Sequence, residues 1–163
     1  MFARLSVCAL AASLLCLAPA PVQAQDCGPL TFEFTNTGPG CVPFSGAVTP
    51  ALDFSLFAAN QVSICQLTAF FRQGVFEFPL PIASLLVGAS DPSLPFPGLP
   101  NCVLRVLPLF ALPMTPEVIF QQQTLFLNIP QDPIFIGAEF HAQGVWPVGG
   151  ELRISNGVRV RIS

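Results

Sequence analysis

Apolar and polar residues alternate along much of the chain after residue 24, which is the pattern of β-strands that bury one face. In the first such segment Leu30, Phe32 and Phe34 are separated by polar residues, so one side of the strand is apolar. The alternation recurs in residues 51–58 and 117–129. We therefore expect a half-buried strand in each of the three segments.

Other segments are more uniformly apolar. Residues 62–72 predict a longer strand, whereas residues 83–88 and 102–107 are short and nearly all apolar. Apolar runs of this length are typical of strands that are covered on both faces. The intervening residues 91–100 hold four prolines. Because proline cannot donate to a strand ladder, we expect a loop there.

The C-terminal third predicts further strands separated by turns. Residues 135–146 alternate again, and residues 151–155 and 158–162 flank Asn156-Gly157. Asparagine followed by glycine is the strongest sequence signal for a two-residue β-hairpin turn, so a hairpin is expected at this point. Other turns are expected at residues 130–133 and 147–150.

These segments together predict the fold class. The chain has 163 residues with 18 prolines and 12 glycines, and 52% of its residues are hydrophobic. That composition excludes intrinsic disorder and disfavours long helices. With about eight short strands and no internal repeat, we expect an all-β, antiparallel β-sandwich, immunoglobulin-like or jelly-roll-like. Residues 25–163 are expected to form one domain.

The first 24 residues have the organisation of a signal peptide. Arg4 precedes an apolar run over residues 5–18, and Val22 and Ala24 place small residues where a signal peptidase reads them. The run is shorter than a spanning helix requires, which disfavours a membrane anchor. Lipid attachment at Cys16 is a weaker alternative, because no small residue precedes it. We expect cleavage after Ala24, export to the periplasm, cell surface or exterior, and no transmembrane segment in the mature chain.

Charge and cysteine content narrow the functional classes. The chain has no lysine and a formal net charge of -3, whereas a nucleic-acid footprint requires positive charge. The cysteines outside the signal peptide are even in number, which in an exported chain indicates two disulfides. Zinc binding is disfavoured, because no two of them are close in sequence and the chain has one histidine. No metal or other cofactor is expected. These cysteines, whose pairing is left open among three possibilities, are Cys27, Cys41, Cys65 and Cys102.

The chain from about residue 82 onward resembles a small β-domain of unknown function that recurs, often C-terminally, in exported proteins of environmental bacteria. The stretches that carry the resemblance are residues 85–90 (LLVGAS), 98–104 (GLPNCVL), 129–144 (IPQDPIFIGAEFHAQG) and 155–160 (SNGVRV). The resemblance covers about half of the mature chain and implies a fold and an exported location. It implies no activity.

The resemblance also bears on individual residues. Members resembling this chain carry cysteines at positions corresponding to Cys41 and Cys102, which implies a bridge between them and leaves Cys27 and Cys65 as the second pair. An aromatic residue is common where His141 stands, so the resemblance implies no chemical role for it. A residue with a side chain is common in place of Gly157, which implies a bulge within one strand as the alternative to the hairpin.

Glu139, His141 and Gln143 share one face of their expected strand and form the best candidate for proton transfer. No nucleophile motif accompanies them. The favoured interpretation is a solvated outer face on which Glu139 pairs with an arginine of the neighbouring strand. The aspartates of Asp91-Pro92 and Asp132-Pro133 stand singly, which favours turn initiation over calcium binding.

A carbohydrate site is the second candidate. Trp146 would supply a flat surface for a sugar ring, and Gln121 and Gln123 would supply amides to its hydroxyls. With one Trp and no Tyr, such a surface is small. We therefore expect a non-catalytic structural or interaction domain whose partner is an envelope protein or a polysaccharide. The alternative is a carbohydrate-binding module, and a hydrolase ranks third.

Overall fold

The structure, a computed structural model, describes residues 23–41, 51–58, 64–72, 82–96, 99–117, 122–148 and 150–163. Within these ranges the chain forms twelve β-strands and one short 3-10 helix, Pro133–Phe135. Every strand pairing recorded there is antiparallel, so the predicted all-β, antiparallel sandwich is confirmed. No helix in the described part is long and apolar enough to cross a membrane.

The described strands form two larger sheets and one hairpin. The six-stranded sheet has the order β1 (Gln23–Cys27), β2 (Leu30–Gly38), β12 (Glu151–Ile162), β11 (Glu139–Val148), β5 (Ser84–Gly88) and β8 (Phe110–Pro113). The four-stranded sheet has the order β3 (Ala51–Ala58), β4 (Ile64–Arg72), β10 (Gln122–Pro130) and β9 (Thr115–Glu117). The hairpin consists of β6 (Leu94–Phe96) and β7 (Leu99–Leu104).

The main core lies between the two larger sheets and is built by alternation. On β2, Leu30, Phe32 and Phe34 are buried, whereas the polar residues between them are less so. Phe71 of β4 meets Trp146 of β11 edge to face, with ring centroids 6.2 Å apart. Such pairs add a small favourable term to the much larger gain from burying two aromatic side chains.

Two disulfides connect different layers of the molecule. Cys27, at the end of β1, is bonded to Cys65 of β4 and joins the two sheets of the sandwich. Cys41, just after β2, is bonded to Cys102 of β7 and joins the six-stranded sheet to the hairpin. Both disulfides predicted from the cysteine count are therefore present, and their pairing is the one that the resemblance implied.

A third layer lies over the outer face of the six-stranded sheet. We call residues 91–96 and 99–109, which contain β6 and β7, the cover. Cys102 and Val106 of the cover and Ile154 of β12 are buried, yet they lie outside the main core cluster. Gly88 and Gly157 mark close approach, because a Cβ atom would meet the backbone of Leu107 at the first and the side chain of Arg105 at the second. The cover thus buries part of the outer face of this sheet, whereas Glu139 and Arg161 on the same face stay exposed.

Three local predictions were wrong. Residues 91–100 were expected to be a loop, but they contain β6 and the start of β7. Asn156-Gly157 was expected to form a hairpin turn, whereas β12 runs straight through it with a shift of register opposite residues 143–145. The bulge that the resemblance implied is therefore confirmed. Residues 135–138 precede β11 instead of belonging to it.

The strand count and the N-terminal boundary also differ from expectation. Twelve strands replace about eight, because short strands such as β1, β8 and β9 occupy segments without clear alternation. Residues 1–22 of the predicted signal peptide lie outside the described ranges, and residues 23 and 24 begin β1. Cleavage after Ala24 would leave the part of β1 that pairs with residues 30–32.

Candidate functional site

Glu139 and His141, two of the three residues of the proton-transfer candidate, are in contact in the structure. His141 Nε2 lies 3.3 Å from Glu139 Oε1, and the two side chains are 9% and 40% exposed. His141 Nδ1 is buried without a hydrogen-bond partner. Because one ring nitrogen lies against a carboxylate and the other makes no hydrogen bond, no hydroxyl group in the described part of the chain is hydrogen-bonded to His141 as a nucleophile would be.

The face that carries this pair is solvated, as predicted, only in part, because Glu139 and Arg161 are exposed whereas His141 is buried. Across the sheet His141 stands opposite Arg159, and Glu139 stands opposite Arg161, which in turn stands opposite Glu33 of β2. The side chain that Glu139 contacts in the structure is nevertheless His141. His141 is buried because its other neighbour, Gly88, lies beneath the backbone of the cover.

Gln143 is also buried, and all of its amide is in use. Its Oε1 accepts from the backbone N–H of Arg105 at 2.9 Å. Its Nε2 donates to the carbonyls of Val103 at 3.1 Å and Ser155 at 3.0 Å. The side chain thus ties the cover to β12 across β11. Because Gln143 is fully buried, it is not accessible to a ligand, and of the candidate grouping Glu139, His141 and Gln143 only the first two are in contact.

Trp146 does not offer a surface to a sugar. The residue has 0% relative exposure, one edge of its ring meets Phe71, and the guanidinium carbon of Arg153 lies 5.2 Å from its ring centroid. Every part of the indole is thus inside the protein. The prediction of a stacking platform at Trp146 is wrong because the side chain points into the core between the two larger sheets. Alternation along β11 places it on that side.

The glutamines proposed to assist Trp146 do not form a site with it. Gln123 is fully buried, and its Oε1 accepts a hydrogen bond from the backbone N–H of Ala83. Gln121 lies outside the described residues. The neighbouring Gln122 donates to Glu117 at 3.1 Å across the β9–β10 pair. These amides therefore hold strands together where the structure describes them.

Metal binding finds no support in the described ranges, which contain no group of three or more His, Cys, Asp or Glu side chains suited to an ion. Asp91 Oδ1 accepts from the backbone N–H and the hydroxyl of Ser93, both at 2.9 Å. Asp132 Oδ1 accepts from the N–H of Ile134 at 2.9 Å and caps the 3-10 helix. Both aspartates thus initiate turns, as predicted.

The most unusual surface was missed by sequence reasoning. Residues 107–111, with the sequence Leu-Pro-Leu-Phe-Ala, are consecutive, apolar and exposed, and we call them the apolar segment. Leu107, Leu109 and Phe110 retain 53%, 64% and 63% of their accessible surface. The available signal was that residues 106–116 contain no charged side chain. The sequence pattern instead predicted a buried strand over residues 102–107, whereas β7 ends at Leu104.

Backbone contacts hold the apolar segment in place. Leu107 N–H donates to the carbonyl of Ser90 at 3.1 Å, and Leu109 N–H donates to the carbonyl of Val87 at 2.9 Å. The carbonyl of Leu107 rests on Gly88, where no side chain intervenes. The apolar side chains are therefore presented outward by a backbone that is fixed to β5.

Comparisons with protein-family models, with curated proteins and with solved structures find no match for this chain. The functional assignment therefore rests on the surfaces and side chains described above.

Proposed function

We propose that this chain is an exported, non-catalytic interaction domain that binds a protein of the cell envelope through the apolar segment, residues 107–111. The observation that carries this proposal is the exposure of five consecutive apolar residues. In a soluble domain a run of this kind is unfavourable unless something binds it.

The fixed backbone of the apolar segment supports binding. A surface that is already ordered before contact loses less conformational entropy when the partner arrives. Leu109 and Phe110 also lie beside one another at the edge of the six-stranded sheet, where a partner can reach both. The two disulfides are in keeping with export, because disulfides persist in oxidising compartments.

The alternatives have less support. A carbohydrate-binding module would need a new platform, since Trp146 is enclosed. A hydrolase would need a nucleophile or a second carboxylate near His141, and the described residues bring neither into contact with it. The apolar segment suits a protein surface better than a sugar, because it carries no polar side chain that would bind hydroxyl groups.

The test is co-sedimentation of the exported chain, with both disulfides intact, with envelopes of its host. Untreated, protease-stripped and polysaccharide-digested envelopes are compared in parallel. We expect binding to untreated and polysaccharide-digested envelopes and loss of binding after protease treatment. Loss only after polysaccharide digestion would instead favour the glycan alternative, and no binding to any envelope would refute both.

A pair of variants assigns the surface. The double variant Leu109→Ser/Phe110→Ser should lose most of the binding, because it makes the apolar segment polar without touching the core. The matched control is Phe126→Ser/Ile134→Ser, whose side chains are 54% and 79% exposed at other places on the molecule. Equal loss of binding in both variants would contradict a specific role for residues 107–111.

A further inference from the structure

We infer that the apolar segment also binds a second copy of this chain, in competition with the envelope protein, and that the two copies are joined edge to edge through β8 across a two-fold axis. This inference rests on the proposed function only in taking residues 107–111 as an interaction surface. It adds a second partner, and it follows from the backbone and the charge of the segment.

The backbone of β8 is the first argument. β8 pairs with β5 and is the last strand of the six-stranded sheet in the described part of the chain. Met114 N–H donates to the carbonyl of Ala83, and in an antiparallel ladder the residues that bond to a given neighbour recur at every second position. The backbone N–H and C=O of Leu112 accordingly point toward β5. The backbone groups of Ala111 and Pro113 point away from it.

The outward edge is therefore short. Pro113 has no N–H, and the N–H of Leu109 already donates to the carbonyl of Val87, so Ala111 supplies the one outward N–H of β8. A long peptide strand would find few donors along such an edge. Two copies of β8 in antiparallel pairing centred on Ala111 fit it, because each Ala111 then donates to and accepts from the other. The arrangement joins two copies and leaves no free β8 edge for a third.

The side chains are the second argument. The same pairing places Phe110 of each copy opposite Leu112 of the other, and Leu109 opposite Pro113. These residues are all apolar, and Phe110 and Leu109 are each more than half exposed. Mutual burial of such side chains is the main favourable contribution to an isologous interface.

Charge is the third argument. The chain carries nine acidic and six basic residues, so two copies repel each other weakly over most of their surfaces. Residues 106–116 carry no charged group, and a copy that approaches along β8 meets another uncharged surface. The segment therefore does not require a partner with a complementary charge. Two copies of it can approach each other without electrostatic repulsion between the contacting surfaces.

The first test is sedimentation velocity of the exported chain over a wide range of concentration. We expect a monomer–dimer equilibrium whose association constant falls at least about tenfold in Leu109→Ser/Phe110→Ser. The control variant Phe126→Ser/Ile134→Ser should dimerise like the wild type. A wild-type chain that stays monomeric throughout, or a dimer that persists unchanged in Leu109→Ser/Phe110→Ser, would overturn the inference.

A second test addresses the backbone alone. Ala111→Pro removes the outward N–H, and proline is tolerated on an edge strand at positions that do not bond to the neighbouring strand. Ala111→Ser keeps the N–H and serves as the control. We expect dimer loss with proline, near-wild-type dimerisation with serine, and the same circular dichroism spectrum for both. Equal dimerisation of the two variants would exclude pairing through Ala111.

The two proposals fail in different ways. If the wild-type chain is monomeric but Leu109→Ser/Phe110→Ser abolishes envelope binding, the second copy is excluded and the envelope-interaction function stands. If the chain dimerises through Ala111 but binds no envelope, the dimer stands and the envelope partner is excluded.

Discussion

The inner face of the six-stranded sheet is buried, and the outer face is covered over part of its area by different means. Its inner face meets the four-stranded sheet through apolar side chains such as Phe32 and Trp146. Its outer face meets the cover through a glutamine amide, a disulfide and glycines that permit close backbone approach. The inner face is thus stabilised mainly by the hydrophobic effect, and the outer face by a small number of specific connections.

The difference teaches that polar residues on a strand face do not by themselves show that the face is exposed to solvent. Along β11, Ala142 and Trp146 face inward and His141 and Gln143 face outward, yet all four are buried. A polar face can be covered when its hydrogen-bonding groups find partners among the surrounding residues. Gln143 meets that condition through Arg105, Val103 and Ser155. His141 contacts Glu139 at one ring nitrogen and makes no hydrogen bond at the other.

The largest loss of unfolding free energy is expected from a substitution on the inner face. Trp146→Ala removes a fully buried indole together with its contacts to Phe71 and Arg153, and should cost about 3 to 5 kcal/mol of unfolding free energy. Urea unfolding of the disulfide-intact protein measures this cost. Phe126→Ala, at an exposed position, is the control and should change the free energy little. A cost below about 1 kcal/mol for Trp146→Ala would contradict the inner-face account.

An intermediate loss of unfolding free energy is expected from removing the disulfide that ties the cover to the six-stranded sheet. Cys41→Ala/Cys102→Ala opens a bridge that spans 61 residues and should cost about 2 to 4 kcal/mol. We expect amide hydrogen exchange to rise first in residues 99–107 and to change less in β2 and β4. Uniform loss of protection across both sheets would show that the two faces are one cooperative unit, which would break the comparison.

A smaller effect is expected from the amide connection. Gln143→Met keeps the length of the side chain but leaves Arg105 N–H and the carbonyls of Val103 and Ser155 without that partner. We expect a loss of about 2 kcal/mol, because unsatisfied buried groups are costly. Faster exchange of the Arg105 amide should accompany it. An unchanged exchange rate at Arg105 would mean that other contacts suffice to hold the cover.

Sequence patterns predicted the inner face well and the outer face poorly. The spacing of Leu30, Phe32 and Phe34 identified β2 and its buried side, because an exposed strand face and a buried one differ in polarity. The cover has no such signal: its connection to β11 depends on contacts between residues that are distant in sequence, such as Gln143 and Arg105. The burial of Gln143 could not be inferred from its own strand.

The candidate sites illustrate the same limit. The sequence pattern placed Trp146 correctly near the end of β11. Its burial follows from the side of the sheet that it shares with the buried Ala142. Of the apolar segment, only Leu107 fell within a predicted buried strand, residues 102–107, and no prediction covered the rest. Its exposure arises from its position at the edge of the six-stranded sheet, and strand order does not follow from local pattern.

The two disulfides interleave along the chain, since Cys41 lies within the loop closed by Cys27 and Cys65, and Cys65 lies within the loop closed by Cys41 and Cys102. A single proteolytic cut anywhere between residues 27 and 102 therefore leaves both fragments covalently attached. In a protease-rich environment a molecule nicked in this region would therefore lose neither fragment.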